Sequence, residues 1–221
     1  MAGRIAHVIF DLDGTLADTG ADLAASVNHA LETFGLDPLD PSTVYRYVGD
    51  GARVLVERAV GLARRDLWDS GVKVFLEYYR EHLLDRTRLY DGIGDLLAAL
   101  SRAGVFASVL TNKPEDQSLR ILGDLGVLDS FVHVIGGDTL PVRKPDPRGV
   151  FRLLRLTGTR VGEALIVGDS RIDSATARAS TVRSCGVSWG FNLQNLAAES
   201  VRVAGSPEEL RRMVLGHDES P

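Results

Sequence analysis

Cysteine is almost absent from this chain of 221 residues, which contains a single one, Cys185. One thiol excludes an internal disulfide framework and any zinc site built from several cysteines, so a reducing, cytoplasmic compartment is predicted. Long apolar runs are missing as well, since none approaches the roughly 18 residues of a membrane span. Asp11 and Asp13 interrupt the early apolar stretch where a signal peptide would need its apolar segment. We therefore expect neither a membrane span nor secretion.

Charge of one sign is not concentrated in any part of the chain. Lys and Arg number 25 and Asp and Glu number 30, which gives a formal net charge of −5. This balance argues against nucleic acid as a partner. A hydrophobic content of 44% and a charged content of 25% are typical of a globular protein. The length suits one large domain, or one domain that carries a smaller inserted one.

Short β-branched runs alternate with segments of helical period along the chain. This alternation predicts an α/β fold, a Rossmann-like three-layer core in which helices cover both faces of a parallel sheet. The predicted strands are His7 to Phe10, Val105 to Leu110, Val132 to Ile135, Ala164 to Val167, Ser184 to Val187 and Val201 to Ala204.

The interval between the first two predicted strands, about ninety residues, is far longer than a crossover connection needs. It contains no convincing strand, but apolar residues recur at helical spacing from Leu23 to Phe34 and from Val72 to Leu83. Gly49 and Gly51 mark a loop between shorter helical pieces. We predict an all-helical cap domain over residues 18–88, inserted into a core domain formed by 1–17 and 89–221.

Two carboxylates, Asp11 and Asp13, follow the first predicted strand directly. In an open parallel sheet, ligands bind beyond the carboxyl ends of the strands. Two like charges this close repel each other unless a cation lies between them, so the pair suits a hard metal ion. Gly14 permits a tight turn whose amides can face an anion. Taken alone, the pair is more often a solvated acidic turn.

Three further polar clusters lie at or near later strand ends. Thr111 and Asn112 follow the second strand and are of the kind that hold phosphate oxygens. Lys144 lies near the next strand and could bring an ammonium to the same place. Asp169 and Asp173 follow the fourth strand. Each cluster alone has a plain alternative, namely a turn, a surface lysine or a helix N-cap, but the four in this order favour one shared site.

This order resembles the haloacid-dehalogenase superfamily of phosphotransferases, with the cap inserted after the first motif. The resemblance covers nearly the whole chain. Its details are most similar to the bacterial phosphoglycolate phosphatase branch of that superfamily. They lie in the runs Val48-Gly49-Asp50-Gly51, Val134-Ile135-Gly136-Gly137-Asp138, Gly168-Asp169-Ser170-Arg171 and Gly186-Val187-Ser188-Trp189-Gly190-Phe191-Asn192. The chain departs from that branch at Asp50, where an uncharged residue is usual.

The resemblance implies a role for each core motif. Asp11 would be the nucleophile and form an aspartyl phosphate. Asp13 would protonate the leaving oxygen and later activate the water that cleaves the intermediate. Thr111 and Lys144 would hold the transferring phosphoryl group.

The resemblance also implies a Mg²⁺ cofactor. The ion would bind Asp11, the backbone carbonyl of Asp13, and Asp169. Asp173 would orient a metal-bound water from outside this first set.

Substrate selection is expected in the cap, because the core motifs contact only the phosphoryl group that all monoesters share. The Gly49-Asp50-Gly51 loop and Arg53 can offer backbone amides and a guanidinium, which suit a short carboxylate. Asp50 would oppose this if its side chain pointed inward. The predicted substrate-binding residues are Gly14, Thr15, Asn112, Gly49, Gly51 and Arg53.

The leading hypothesis is a Mg²⁺-dependent phosphatase for a small phosphorylated metabolite, with 2-phosphoglycolate as the first candidate. The alternatives are a phosphosugar mutase of the same superfamily, a phosphatase for another small metabolite or pyrophosphate, and a phospho-accepting or partner-binding domain. A dehalogenase is disfavoured, because displacing halide needs neither a metal nor the leaving-group acid Asp13. We expect no nucleic-acid or membrane partner, and a monomer or homodimer. The five histidines show no metal-ligand spacing, and Cys185 is predicted to be a buried thiol.

Overall fold

A six-stranded parallel sheet forms the centre of the protein in the computed structural model, which describes residues 4–192 and 202–216. Its strands are β1 (His7–Phe10), β4 (Phe106–Leu110), β5 (His133–Ile135), β6 (Ala164–Gly168), β7 (Arg183–Val187) and β8 (Arg202–Ala204), while two short strands outside this sheet are β2 (Ala17–Asp18) and β3 (Arg88–Leu89). The spatial order is β5-β4-β1-β6-β7-β8. The predicted parallel sheet is confirmed, and its strands lie within one residue of the predicted bounds; Val201 and the residues after 216 lie outside the described ranges.

Helices cover both faces of the sheet. The helices are α1 (Gly20–Thr33), α2 (Pro41–Tyr45), α3 (Ala52–Val60), α4 (Trp68–Glu81), α5 (Ile93–Arg102), α6 (Glu115–Asp124), α7 (Arg148–Thr157), α8 (Arg171–Ser180) and α9 (Pro207–Leu215), with short 3₁₀ helices at Leu62–Leu67, Leu128–Ser130 and Val161–Glu163. Within the described ranges, no helix has both the length and the apolar character needed to cross a membrane.

The side chains of β1 alternate between the two helical layers. Val8 and Phe10 belong to an apolar cluster that includes α5, α6 and α9. Ile9 belongs to a second cluster that includes α7 and α8. Successive side chains of a strand point to opposite faces of a sheet, so the sheet is the middle layer of three, as predicted.

The secondary-structure elements between β2 and β3 are all helices, which short loops connect. Helix α4 packs against α1 and α3, and their buried side chains include Leu23, Val27, Leu55, Phe75 and Tyr79. Leu23 and Val27 lie at the helical spacing that predicts α1 from the sequence, and Phe75 and Tyr79 at the spacing that predicts α4. The loop with Gly49 and Gly51 lies between α2 and α3, also as predicted.

Strand β2 precedes this helical segment and β3 follows it, and the two strands pair as an antiparallel ribbon. Ala17 pairs with Leu89, and Asp18 pairs with Arg88. Asp22 at the start of α1 ties down the returning chain, because its Oδ2 accepts hydrogen bonds from the backbone N–H of Thr87 at 2.8 Å and from its hydroxyl at 2.8 Å. The expectation that this interval lacks strands is therefore wrong. Strands of two residues are too short to show the alternation that predicts a strand.

Candidate active site

An acidic cluster forms where neighbouring strands end. Strand β1 pairs with β6 so that Phe10 lies opposite Val167, and Asp11 and Asp169 follow these positions closely in the chain. One carboxylate oxygen from each of Asp11, Asp169 and Asp173 lies within 4.8 Å of the other two. All three side chains are buried. The fold therefore brings together three acids that are far apart in sequence.

Lys144 enters this cluster from the loop after β5. Its Nζ lies 2.9 Å from Asp11 Oδ1 and 2.6 Å from Asp173 Oδ1, and its side chain is 2% exposed. Burial opposes the charged form, but Asp11 and Asp173 outweigh burial and raise the pKa of Lys144. The lysine is thus a fixed positive charge between two carboxylates.

The first turn of α8 orients Asp173. Its Oδ2 accepts hydrogen bonds from the Ser170 backbone N–H at 3.1 Å and from the Ser170 hydroxyl at 2.6 Å. A Cβ at position 168 would collide with the Asp173 carboxyl group, so glycine there leaves the space that this arrangement needs. The motif from Gly168 to Asp173 is therefore a helix start that directs the Asp173 carboxylate toward the end of the sheet.

The acidic cluster carries more negative charge than its neighbours balance. Three carboxylates meet one ammonium, that of Lys144. Burial raises the pKa of Asp11 to about 6 against the opposing charge of Lys144. Burial, with Asp173 and Asp11 nearby, raises the pKa of Asp169 well above its usual range. Clustered carboxylate oxygens with excess negative charge suit a hard divalent cation such as Mg²⁺, so these residues fit the predicted metal.

Asp13 contacts a lysine that the sequence analysis does not single out. Its Oδ1 accepts hydrogen bonds from the Thr19 hydroxyl at 2.6 Å and from Lys113 Nζ at 2.9 Å. Lys113 Nζ also donates to the hydroxyl of Tyr79, in α4, at 2.7 Å. Burial opposes the charge on Lys113, but Asp13 and Tyr79 outweigh it and raise its pKa. The available sequence signal is that Lys113 precedes a proline after a strand end, as Lys144 does.

Gly14 and Thr15 form the turn after this motif. Gly14 has φ = +77°, which favours glycine, and a Cβ there would collide with the Asp169 carboxylate. The same carboxylate accepts a hydrogen bond from the Phe191 backbone N–H at 2.7 Å. Thr15 is buried, and its hydroxyl has no hydrogen-bond partner among the described residues. The turn packs against Asp169.

Asn112 links the helical insertion to the core. Its Nδ2 donates to the backbone oxygen of Gly49 at 2.9 Å and to that of Lys144 at 3.1 Å. Its Oδ1 is buried and has no partner within the described part of the chain. The Thr111 hydroxyl, next to it, accepts a hydrogen bond from the Lys113 backbone N–H at 3.2 Å.

A small cavity lies between the helical insertion and the ends of β1 and β4. The space open to the centre of a water molecule is ≈ 40 Å³, whereas one water needs roughly 10–15 Å³ by this measure. Its lining combines apolar side chains from α1, α3 and α4 with the polar side chains of Asp11, Asp13, Tyr79, Thr111, Asn112, Lys113 and Gln117. The backbone of Gly49 and Gly51 also reaches the cavity, but Gly14, Thr15 and Lys144 do not line it.

Arg53 does not join these residues. Its side chain is 52% exposed, with Nε 2.8 Å from Glu57 and a terminal nitrogen 2.9 Å from Asp69. It does not line the cavity. The first turn of α3 directs the guanidinium along its own helix and toward α4, so two surface carboxylates neutralise it.

Asp50 does not line the cavity either. Its Oδ2 lies 2.7 Å from Arg58 and 3.9 Å from Arg171. The ion pair with Arg58 holds this carboxylate away from the cavity, so Asp50 does not oppose an anionic ligand there.

Neither Cys185 nor any histidine of the described ranges lines the cavity. Cys185 is 4% exposed, and burial raises the pKa of its thiol to about 11. The predicted buried thiol is confirmed. Among the described residues, no cluster of three or more metal-ligating side chains includes a histidine.

Comparison with known proteins gives the class to which this fold and site belong. The family model of the haloacid dehalogenase-like hydrolases matches residues 8–187. The chain belongs to this family.

Relatives within the family indicate the enzyme class of this chain. A phosphoglycolate phosphatase of Rhodospirillum rubrum is 41% identical over 199 residues, which cover 86% of this chain and 83% of the relative. One from Mesorhizobium japonicum is 38% identical over 188 residues, covering 83% of each chain. The predicted enzyme class, a phosphatase that hydrolyses phosphoric monoesters, is confirmed by these relationships.

Solved structures agree with the fold. A predicted phosphoglycolate phosphatase from Haemophilus somnus 129pt superposes with a TM-score of 0.89 at 30% sequence identity, and the match covers 96% of this chain and 98% of that one. The parallel sheet with its covering helices is therefore an arrangement that a solved structure shares.

Proposed function

We propose that the protein is a Mg²⁺-dependent phosphatase that hydrolyses 2-phosphoglycolate through an aspartyl phosphate on Asp11. One observation carries this proposal. Asp11 lies at a strand end beside the buried ammonium of Lys144, and a second acid, Asp13, lines the same small cavity. A carboxylate nucleophile, a fixed cation and a nearby acid are what phosphoryl transfer through an acyl phosphate needs.

In the proposed first step, an oxygen of Asp11 attacks phosphorus, and the bond from phosphorus to the leaving oxygen breaks. Lys144 stabilises the charge on the transferring group, and the hydroxyl of Thr111, at the end of the neighbouring strand β4, binds one of its oxygens. Asp13 gives its proton to the leaving oxygen. In the second step, Asp13 takes a proton from the water that attacks the acyl phosphate, which releases inorganic phosphate and restores Asp11.

The residues that would hold Mg²⁺ are Asp11, Asp169 and the backbone carbonyl of Asp13, with Asp173 nearby. When bound, the cation screens the charge of the phosphate so that a carboxylate can approach it. The excess negative charge of the buried cluster supports this assignment.

The choice of 2-phosphoglycolate is supported by the relatives that carry the name phosphoglycolate phosphatase. It is also supported by the small size of the cavity beside Asp13. We retain the cytoplasmic location and the monomeric or homodimeric state as proposals.

A phosphatase assay across small phosphomonoesters tests this function. We expect kcat/KM to be highest for 2-phosphoglycolate, activity to be abolished by chelation, and Mg²⁺ to restore it. Full activity in excess chelator would contradict the metal assignment. Transfer of the phosphoryl group to a sugar, with a strict need for a bisphosphate activator, would indicate the mutase instead.

A further inference from the structure

Lys113 is the one cationic residue lining the cavity within residues 4–192 and 202–216. Its side chain is 3% exposed, and its Nζ contacts Asp13 at 2.9 Å and the Tyr79 hydroxyl at 2.7 Å. An ammonium has three N–H donors. The third contact of this ammonium, to Asp13 Oδ2 at 3.2 Å, is its longest, so an acceptor that enters the cavity can replace it.

The identity of this cation is unusual for the chain. The sequence contains 3 lysines against 22 arginines. Lys73 is exposed on α4, whereas Lys113 and Lys144 are both buried at the site. An ammonium is compact, while a guanidinium is a broad planar fork. A lysine at position 113 thus supplies positive charge while leaving a small cavity open.

Asp13 determines where the leaving group lies relative to Lys113. In the proposed reaction, Asp13 protonates the leaving oxygen, so that oxygen must come within hydrogen-bond reach of Asp13. In 2-phosphoglycolate, the carboxylate carbon is two bonds beyond that oxygen. Lys113 Nζ lies 2.9 and 3.2 Å from the two oxygens of Asp13. The ammonium is therefore within reach of a substrate carboxylate.

Among the described residues that line the cavity, no side chain other than Lys113 carries a positive charge. Leu23, Leu55 and Phe75 line it with apolar surface, and the carboxylates of Asp11 and Asp13 would repel an anion. A charge brought into such surroundings needs a paired countercharge. Arg53, expected from the sequence to supply one, is paired on the surface instead.

We propose that Lys113 is the specificity-determining residue that binds the carboxylate of the substrate, with Tyr79 holding the ammonium in position from the cap side. This inference rests on the proposed phosphatase function and deepens it. The substrate class becomes small phosphate monoesters whose leaving group ends in a carboxylate within two bonds of the bridging oxygen.

The test compares 2-phosphoglycolate with its neutral amide, 2-phosphoglycolamide, which has nearly the same shape. A lysine that acted only through Asp13 would affect both substrates equally, so the ratio of their kcat/KM values isolates the carboxylate contact. Lys113→Met should lower this ratio by about 10- to 150-fold, the range for a hydrogen bond to a charged group. Tyr79→Phe should lower it by about 2- to 10-fold, the range for a neutral hydrogen bond.

Lys73→Met is the matched control, because it removes the same charge from an exposed position on α4. It should leave the ratio unchanged. Thermal unfolding establishes that each variant is folded, and Lys113→Gln replaces Lys113→Met if the latter is not. The separate kcat and KM values should show most of the loss in KM for the carboxylate substrate.

The outcomes separate this inference from the proposed function. An equal loss on both substrates in Lys113→Met, or a wild-type enzyme without preference for the carboxylate, would overturn the role of Lys113 and leave the phosphatase intact. A wild-type protein that hydrolyses neither ester with Mg²⁺ would overturn the proposed function, and the inference with it.

Discussion

Replacing Lys144 by methionine should destabilise the protein by an amount that follows from its contacts. The ammonium is 2% exposed and lies 2.9 Å from Asp11 and 2.6 Å from Asp173. Methionine is similar in length but carries no charge, so two buried carboxylates lose their partner. Removing one member of a buried ion pair costs about 3–5 kcal/mol. Because each kcal/mol lowers Tm by roughly 2–4 °C in a chain of this size, we expect Tm to fall by about 6–20 °C.

Thermal unfolding at neutral pH in excess chelator measures this loss without a contribution from bound cation. Lys73→Met is the control, and we expect its Tm to lie within about 2 °C of the wild type, as for most surface substitutions. Adding Asp173→Asn to Lys144→Met should restore part of the loss, because a buried charge is removed along with its partner. A Tm for Lys144→Met within about 2 °C of the wild type would refute the reasoning that this ammonium balances the acidic cluster.

Three further predictions concern the proposed nucleophile, the turn after it and a buried histidine. Asp11→Asn should lower kcat by more than about 100-fold in a steady-state assay, because an amide is a poor nucleophile toward phosphorus, and its circular dichroism should match the wild type. Gly14→Ala should lower the free energy of unfolding in urea by about 1–3 kcal/mol, because φ is positive there and the added Cβ meets Asp169. Burial, and secondarily the charge of His133, lowers the pKa of His7 from 6.5 to about 4. Between pH 6.5 and 4, His7 therefore stays neutral in the folded protein but is protonated in the unfolded chain. Stability is thus expected to fall by about 3 kcal/mol from pH 6.5 to 4, and His7→Gln should remove this part of the pH dependence measured by urea unfolding.

Each of these predictions has an outcome that contradicts it. Retention of more than about a hundredth of kcat in Asp11→Asn would argue against covalent catalysis. A Gly14→Ala protein as stable as the wild type would argue against the close approach of this turn to Asp169. Parallel pH profiles for the wild type and His7→Gln would mean that His7 takes up its proton in the folded protein at its ordinary pKa.

The strand ends of the site could be predicted because parallel pairing is a simple rule of topology. The predicted and observed bounds of β1 agree, His7 to Phe10. Phe10 lies opposite Val109 on one side and Val167 on the other. Polar residues that follow three paired strands must then share one edge of the sheet. That rule needs no knowledge of how side chains pack.

The part of the site formed by the helices between β2 and β3 depends on packing that the local sequence does not reveal. The direction of Arg53 is set by Asp69, which reaches it only because α3 and α4 are neighbours. Tyr79 lies in the apolar stripe that predicts α4, stacks on Phe75, and is 34 positions from Lys113 in the sequence. A residue that packs in the core and also contacts the site has the same apolar helical spacing in the sequence as a residue that only packs in the core.

The position of the phosphoryl group on the enzyme tests the central claim most directly. In Asp13→Asn, the proposed base for hydrolysis is lost, so a donor with a good leaving group, such as acetyl phosphate, should phosphorylate the protein faster than water removes the group. Rapid acid quenching followed by peptide mass spectrometry locates it. The account predicts phosphate on Asp11 and none when Asp11→Asn is added to Asp13→Asn. Phosphate on another residue, or continued turnover of Asp13→Asn with no phosphoenzyme, would contradict it.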